Sequence, residues 1–528
     1  MRRFADENHH RRSHATLSGG AETSAGQGVQ GAFPAEGLLG QGGGQIGQAD
    51  GGREEQQHLL QAFDQIAHHL TDIGGPVPAG YNPDAKEIYA EGLRIPPVKL
   101  WDKGVRRDDV INLLMCNMRS RRNQEGDLNA QLGACRVGER NLLNLLNKYG
   151  LDTVQTAIAE LKNMADHHMR DLIRSIPDGS YHGEAVLEDS GHGLGAMTIS
   201  ADINITGDSV HIRIDSPPQV PYFINSYAGN SMSGVYLGLM MFAQVPPPYN
   251  EGLYRCVTVD LGEKATLCNA QEPAPHVNCT TTPMETLTDA VRKAFEAAAP
   301  ERVTASWGHA SGINIAGIDP RTGEQYVTMV LASIISGAGA TQQMDGWHAC
   351  GPLCCFGALS SGDIELLEYQ YPILIHKYGL AQDSGGAGRY RGGSGTVWEV
   401  EPLGHEMTVI AFGEGRQIPT MGAADAENGL HEPKLGRLEI VHGADNTTVY
   451  TQNTLTHIQP GQRARNTNPG GGGYGIAFER PVNAVLHDYV QGLITLEGAR
   501  LDYGVVITDG EVDIAATDAV RATQNITA

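Results

Sequence analysis

Residues 181–215 read YHGEAVLEDSGHGLGAMTISADINITGDSVHIRID, and this stretch decides the fold. Apolar and polar residues alternate along 181–189, 196–205 and 209–215, the period of a strand with one face buried. Thr206-Gly207-Asp208 is the short turn that joins the last two, so the three predict successive antiparallel strands. Immediately upstream the period is helical. Leu128, Leu132, Cys135, Leu142, Leu146 and Tyr149 form one stripe that starts from an N-cap at Asp127 and ends at Gly150. Val154, Ile158, Leu161, Ala165, His168 and Leu172 form a second, stopped by Pro177-Asp178-Gly179. A helical hairpin followed by antiparallel strands predicts an α+β fold.

Downstream, 282–299 carries Leu287, Ala290, Val291, Phe295 and Ala298 at helical spacing. After about residue 365 the chain turns to short strands broken by glycine clusters, at 405–413, 437–452 and 471–478. A last helix over roughly 480–499 leads to a terminal strand near Val505–Ile507. The expected organisation is a body over 55–510 with a helical lobe to about 180, a mixed lobe over 181–365 and a β-rich lobe over 366–510. Residues 511–528 are read as a tail. Residues 1–54 hold 13 glycines and one isoleucine, too little apolar surface to offset the entropy of ordering, and are expected to be disordered. Residues 55–70 place Leu59, Phe63, Ile66 and Leu70 as a weak amphipathic helix.

The chain has 528 residues, a net charge of −23 and eight cysteines. Such acidity excludes nucleic acid as the main partner, because phosphates select Lys and Arg. No run of 18 apolar residues predicts a membrane span. Cysteines this sparse, without a secretory h-region, point to free thiols and a cytoplasmic location.

Ligand-type side chains concentrate in HHLTDIGGPVPAGYNPDAKEIYAEGLRIPPVKL, residues 68–100. Imidazole and carboxylate in His69-x-x-Asp72, on a backbone that turns at Gly74-Gly75, suit Zn, Mn or Fe. Glu87 and Glu91 are four apart and share a face if EIYAEG is helical, so either supplies a third ligand or a general base. The plainer reading of the spacing alone is a surface histidine with solvated carboxylates. His348, Cys350, Cys354 and Cys355 read as packed free thiols, since zinc needs two separated Cys pairs. The run Gly470–Gly473 lacks the preceding strand of a dinucleotide fingerprint, and no GxxxxGK[ST] loop for ATP is present.

Five strings recur in a fixed order: AEGLRIPPVKL (90–100), GDLNAQLGACRVGERNLLNLLNKYGLDTV (126–154), DSGGAGRYRGGSG (383–395), NPGGGGYG (468–475) and LEGARLDYGVVI (496–507). In this combination the chain resembles the hydantoinase B/5-oxoprolinase family over about residues 66–510. The resemblance implies a subunit that works with a hydantoinase A-type partner, which binds ATP and Mg and phosphorylates the substrate. It further implies hydrolysis of a cyclic amide, or, in the carboxylase branch, carboxylation of a ketone such as acetone or acetophenone. Family HHxDxGG strings carry metal ligands, which lands on His69 and Asp72, with Glu91 nearby. Family members also place an N-D-P-x-x-G-G-T-H-type segment upstream, which residues 1–54 do not match. That departure predicts either a truncated or frame-shifted product or a divergent subunit whose missing half is another chain, and it leaves a non-catalytic assembly subunit as the alternative to an enzyme.

Overall fold

A computed structural model describes residues 70–357, 359–426 and 435–524. The expectations for 1–54, for the helix over 55–69 and for His69 therefore lie outside the described residues. Leu70 itself is in loop.

Helices lead, as the patterning predicts. Helix α1 (Asp108–Met115) is followed by α2 (Arg121–Tyr149) and α3 (Leu151–Arg174), joined at Gly150 with φ +81°. α2 begins six residues before Asp127, with Ser120 at its cap position. The expected hairpin holds only near the turn, where Leu142, Leu146 and Val154 share a small cluster. Beyond it the arms diverge. Leu128 and Leu132 join Ile73, Leu100, Trp101 and Ile111, whereas Ala165, Met169, Leu172 and Ile173 enter the main core. That divergence leaves Tyr149 and Leu161, both on the predicted stripes, exposed.

The opening stretch forms β1 (Gly179–Leu187), β2 (Met197–Thr206) and β3 (Ser209–Asp215), antiparallel as expected, and β4 (Val257–Asp260) adds in parallel to β3. Alternation is strict: Ile199, Ala201, Ile203 and Ile205 on β2 face inward with Val210, Ile212 and Ile214 on β3. Over that face lie α4 (Ala228–Phe242) and α5 (Met284–Ala298). Each large apolar side chain so buried contributes about 1.5–3 kcal/mol. α5 crosses β1 so closely that a Cβ on Gly183 would lie 2.3 Å from Ala290 O and Ala294 N. Only glycine permits that approach.

The second half is a pair of facing antiparallel sheets. One has the order β12 (Thr454–Ile458), β9 (Met407–Gly413), β5 (Ser311–Ile318), β6 (Gln325–Met329). The other runs β11 (Asn446–Tyr450), β10 (Arg437–Gly443), β13 (Arg463–Thr467), β8 (Thr396–Pro402), β7 (Ile373–Leu380). Ile313, Ile315, Val409 and Ala411 meet Trp398, Val400, Leu438 and Ile440 between them. β5 pairs with β9, and β6 pairs with β5 at the edge, so two strands from before residue 365 complete a sheet whose other strands come from beyond residue 400. The last helix is also two, Val482–Val490 and Leu496–Tyr503, split at Gly492 with φ +73°. In the C-terminal stretch Glu511–Val512 pairs with Ile507–Thr508, and Ile514–Gln524 is helical.

Residues 471–478 do not form the expected strand. Gly470–Gly473 instead threads between 338–340, 384–387 and 392–393, bonded backbone to backbone (Gly471 N to Gly393 O, Gly386 N to Gly471 O, Gly472 N to Ser306 O). A Cβ on Gly471 would stand 2.0 Å from Ala338 O, and one on Gly392 1.9 Å from Gly471 O. The glycine run is thus a crossing of bare backbones at the centre of the second half.

Candidate functional site

The loop from Asp72 to Leu93 folds back on itself, Leu93 N donating to Ile73 O at 2.9 Å. Gly74 and Gly75 have φ +83° and +81°, which produces the sharp turn that the sequence predicts. Asp72 is fully buried, and its carboxylate is saturated. Oδ2 accepts from Gly74 N (3.2 Å) and Arg119 N (2.8 Å), and Oδ1 from Ala79 N (3.2 Å) and Arg119 Nη1 (2.8 Å). The Arg119 guanidinium thus engages Asp72, and His69, the other half of the expected pair, lies outside the described residues. Among the described residues no group of three or more His, Cys, Asp or Glu side chains is arranged to hold a metal.

Glu87 and Glu91 do not share a face, because EIYAEG makes only a single 3-10 turn over Ile88–Ala90. Glu87 is exposed and Glu91 buried. Glu91 Oε1 accepts from His276 N (2.6 Å) and Val277 N (2.7 Å), and Oε2 has no partner. Burial lifts its pKa to about 8 against the pull of those two amides. It is therefore a neutral acid at pH 7, with one oxygen fixed and the other unengaged.

Tyr81 carries the loop to a second group of polar side chains. Its ring lies 4.5 Å from that of Phe412, and its buried hydroxyl is pushed up by burial and by Cys279, Cys354 and Cys355. Cys354 and Cys355 are 3.8 Å apart at sulfur and free, as are all eight cysteines. The contact with Cys355 and burial hold Cys354 well above the ordinary thiol range, so it stays a thiol. His348 faces elsewhere, accepting from Ser394 N at 3.0 Å. The packed-thiol reading of that motif fits these contacts.

Behind the thiols lies a buried relay that the sequence motifs do not reveal. Glu285 accepts from Cys354 N (2.8 Å) on Oε1 and from Ala310 N (2.7 Å) on Oε2, and burial lifts it to about 7. One turn along α5, Asp289 Oδ2 lies 2.8 Å from His309 Nε2, and Glu414 Oε2 lies 3.1 Å from His309 Nδ1. Thr286 Oγ1 donates to the same Glu414 oxygen at 2.7 Å. Burial opposes charge on the ring, but the two carboxylates outweigh it and hold His309 well above its ordinary range. With both nitrogens donating, His309 is an imidazolium. Arg292, fully buried, closes the group at 3.5 Å from Asp289 and 3.2 Å from Glu296.

Two small cavities flank this relay and share Glu188 and Glu414. One of about 30 Å³ is lined by Glu188, Thr286, Asp289, His309, Glu414 and Met421. The other, about 10 Å³, is lined by Glu188, Thr282, Glu414, Gln417 and Asn453. Each admits water or an ion and neither admits an organic ring, since ligand pockets run to ~300 Å³ or more. One signal in the sequence points to the relay: Glu285 and Asp289 sit at i,i+4 beside the apolar stripe of Leu287, Ala290, Val291 and Phe295 on α5. His309 and Glu414, alone in distant loops, give none.

Residues 54–477 match the protein-family description Hydantoinase B/oxoprolinase. The chain is 72% identical over 456 residues to the caprolactamase beta subunit of Pseudomonas jessenii, covering 86% of this chain and 78% of that one. It is 31% identical over 475 residues to a putative D-/L-hydantoinase B-type subunit of Pseudomonas sp. (strain NS671), covering 86% and 77%. The crystal structure of the ATP-dependent caprolactamase from Pseudomonas jessenii superposes with a TM-score of 0.81 at 68% identity, over 86% of this chain and 79% of that one.

Proposed function

The chain belongs to the hydantoinase B/oxoprolinase family, and we propose that it is the beta-type subunit of an ATP-dependent cyclic-amide hydrolase with a lactam of the caprolactam kind as substrate. The single observation that carries this is the 72% identity to a caprolactamase beta subunit along nearly the whole described fold. A hydantoinase A-type partner supplies ATP and Mg. Two features of this chain support that division: it has no phosphate-binding GxxxxGK[ST] loop, and neither cavity beside the relay has room for a lactam. A cytoplasmic location goes with the need for ATP and with eight free thiols. Among the described residues no helix is long and apolar enough to cross a membrane.

Amide resonance makes a lactam carbonyl a poor electrophile, and phosphorylation of its oxygen supplies a leaving group. Water then adds to the phosphorylated carbon, protonation of the ring nitrogen lets the C–N bond break to leave an acyl phosphate, and a second water attacking its carbonyl carbon releases carboxylate and phosphate. In this reading Glu91 serves as the proton donor. Burial keeps it protonated at neutral pH, and the 276–277 amides fix its orientation. Glu87 is exposed on the surface of this chain.

Hydrolysis is favoured over ketone carboxylation by the two relatives above, named for lactam and hydantoin chemistry. The test is co-expression with a hydantoinase A-type partner and assay of the open-chain amino acid from caprolactam, with and without bicarbonate. Ring opening that needs ATP but not bicarbonate supports the hydrolase. Turnover that requires bicarbonate and a ketone would reassign the chain to the carboxylase branch. Absence of either, with the complex intact, would leave an assembly subunit.

A further inference from the structure

The relay leaves one oxygen unused. Glu414 Oε2 takes His309 and Thr286, while Oε1, buried, has no partner. Glu414 lines the smaller cavity together with Thr282, and Thr282 Oγ1 is likewise buried and without a partner. Asn453 Oδ1 on the same wall is a third unpartnered oxygen. Glu188, which lines the same cavity, is held by Gln417 N and Ile418 N at 2.8 Å and by Arg416 N at 3.2 Å. Three buried oxygens left without partners round one void is a costly arrangement for a folded chain.

We propose that Glu188, Thr282, Glu414 and Asn453 bind a hard, oxygen-liganded cation of the Ca²⁺ or K⁺ kind.

Three observations select that chemistry. The donors are carboxylate, hydroxyl and amide oxygens, with no histidine or cysteine in the lining, which favours hard cations over zinc or iron. Mg²⁺ keeps several waters, and a void of about 10 Å³ has no space for them. Carboxylates also outnumber cations here: among the described residues Glu188, Glu285, Asp289, Glu296 and Glu414 face Arg292, His309 and Arg416. A cation between Glu188 and Glu414 relieves their mutual repulsion.

The location gives the ion a structural task. Glu188 follows β1, Thr282 precedes α5, Glu414 follows β9 and Asn453 precedes β12. An ion bound there ties the first sheet, its covering helix and the second sheet at the relay. It is separate from the His69–Asp72 motif and independent of which reaction the complex performs.

The test uses the full chain, with its partner if the two co-purify. The protein is stripped with a chelator, exchanged into choline chloride, and its Tm is followed as CaCl₂ or KCl is added, with MgCl₂ and further choline chloride as controls. The expected result is a Tm that climbs several degrees with the logarithm of one of the two cations, the responsive arm identifying which. Thr282→Val, nearly isosteric, should raise the half-maximal concentration roughly tenfold, and Glu414→Gln should raise it further. A Tm that Ca²⁺ and K⁺ move no more than choline does would show that water fills the void and would overturn the proposal. So would a cation response unchanged in Thr282→Val, which keeps the test open if Glu414→Gln does not fold.

Discussion

His309 Nε2 lies 2.8 Å from Asp289 Oδ2, and the opposite ring nitrogen lies 3.1 Å from Glu414. A helix residue and a loop residue 125 positions apart are thereby joined through one protonated ring. Removing the ring leaves two buried carboxylates facing one another. His309→Gln should therefore destabilise the chain by about 3–5 kcal/mol. Urea unfolding at pH 7 checks this, and a loss below about 1 kcal/mol would contradict the buried imidazolium.

Glu91 gives a pH dependence of definite sign. Its folded pKa of about 8 lies above the ordinary carboxylate value, so the folded state holds a proton that the unfolded state has released. The stabilisation is complete below about pH 4.5 and drains away as pH rises towards 8. Glu285, at about 7, acts in the same direction. Glu91→Gln should raise Tm more at pH 8 than at pH 5. An equal effect at both pH values, by differential scanning fluorimetry, would mean that Glu91 is ionised in the fold.

Asp72 and Arg119 anchor the 72–93 loop. Asp72→Asn keeps the shape but loses the ion pair, and Arg119 is partly exposed, so the cost should sit near the lower end, about 1–3 kcal/mol. Hydrogen exchange should quicken at Gly74, Ala79 and Leu93 while the β1–β3 amides keep their protection. Uniform acceleration across the fold would contradict a local anchor.

The glycine crossing allows a paired test. Gly471→Ala puts a methyl group 2.0 Å from Ala338 O, so this variant should fail to accumulate as soluble protein. Gly133→Ala, inside α2 with nothing within 4 Å, should stabilise by about 0.5–1 kcal/mol. Soluble yield and Tm of the two variants give the comparison.

The strands of 181–215 are legible in the sequence because one buried face imposes a period of two on Ile199, Ala201, Ile203 and Ile205. α5 is legible for the same kind of reason. The glycine crossing at 470–473 reads wrongly as a strand start, since bare backbones that touch leave no side-chain period. Asp72 and Glu91 stand out as unusual, and both are buried with directed partners. The relay is legible only in the i,i+4 spacing of Glu285 and Asp289. Glu188, Glu285, His309 and Glu414 come from four segments, and each alone reads as an ordinary polar residue until the fold brings them together. Arg119 escapes notice because nothing local marks an arginine 47 residues away as the partner of Asp72.

Above all, this chain should complete the hydrolysis of a lactam whose carbonyl oxygen a partner has phosphorylated. Caprolactam labelled with ¹⁸O at the carbonyl, incubated with ATP and the co-purified pair, reports on this through mass analysis of the released phosphate. The expected result is ¹⁸O in phosphate at one label per ring opened, and none when this chain is left out of the mixture. Ring opening that leaves all of the label in the amino-acid carboxylate would contradict it.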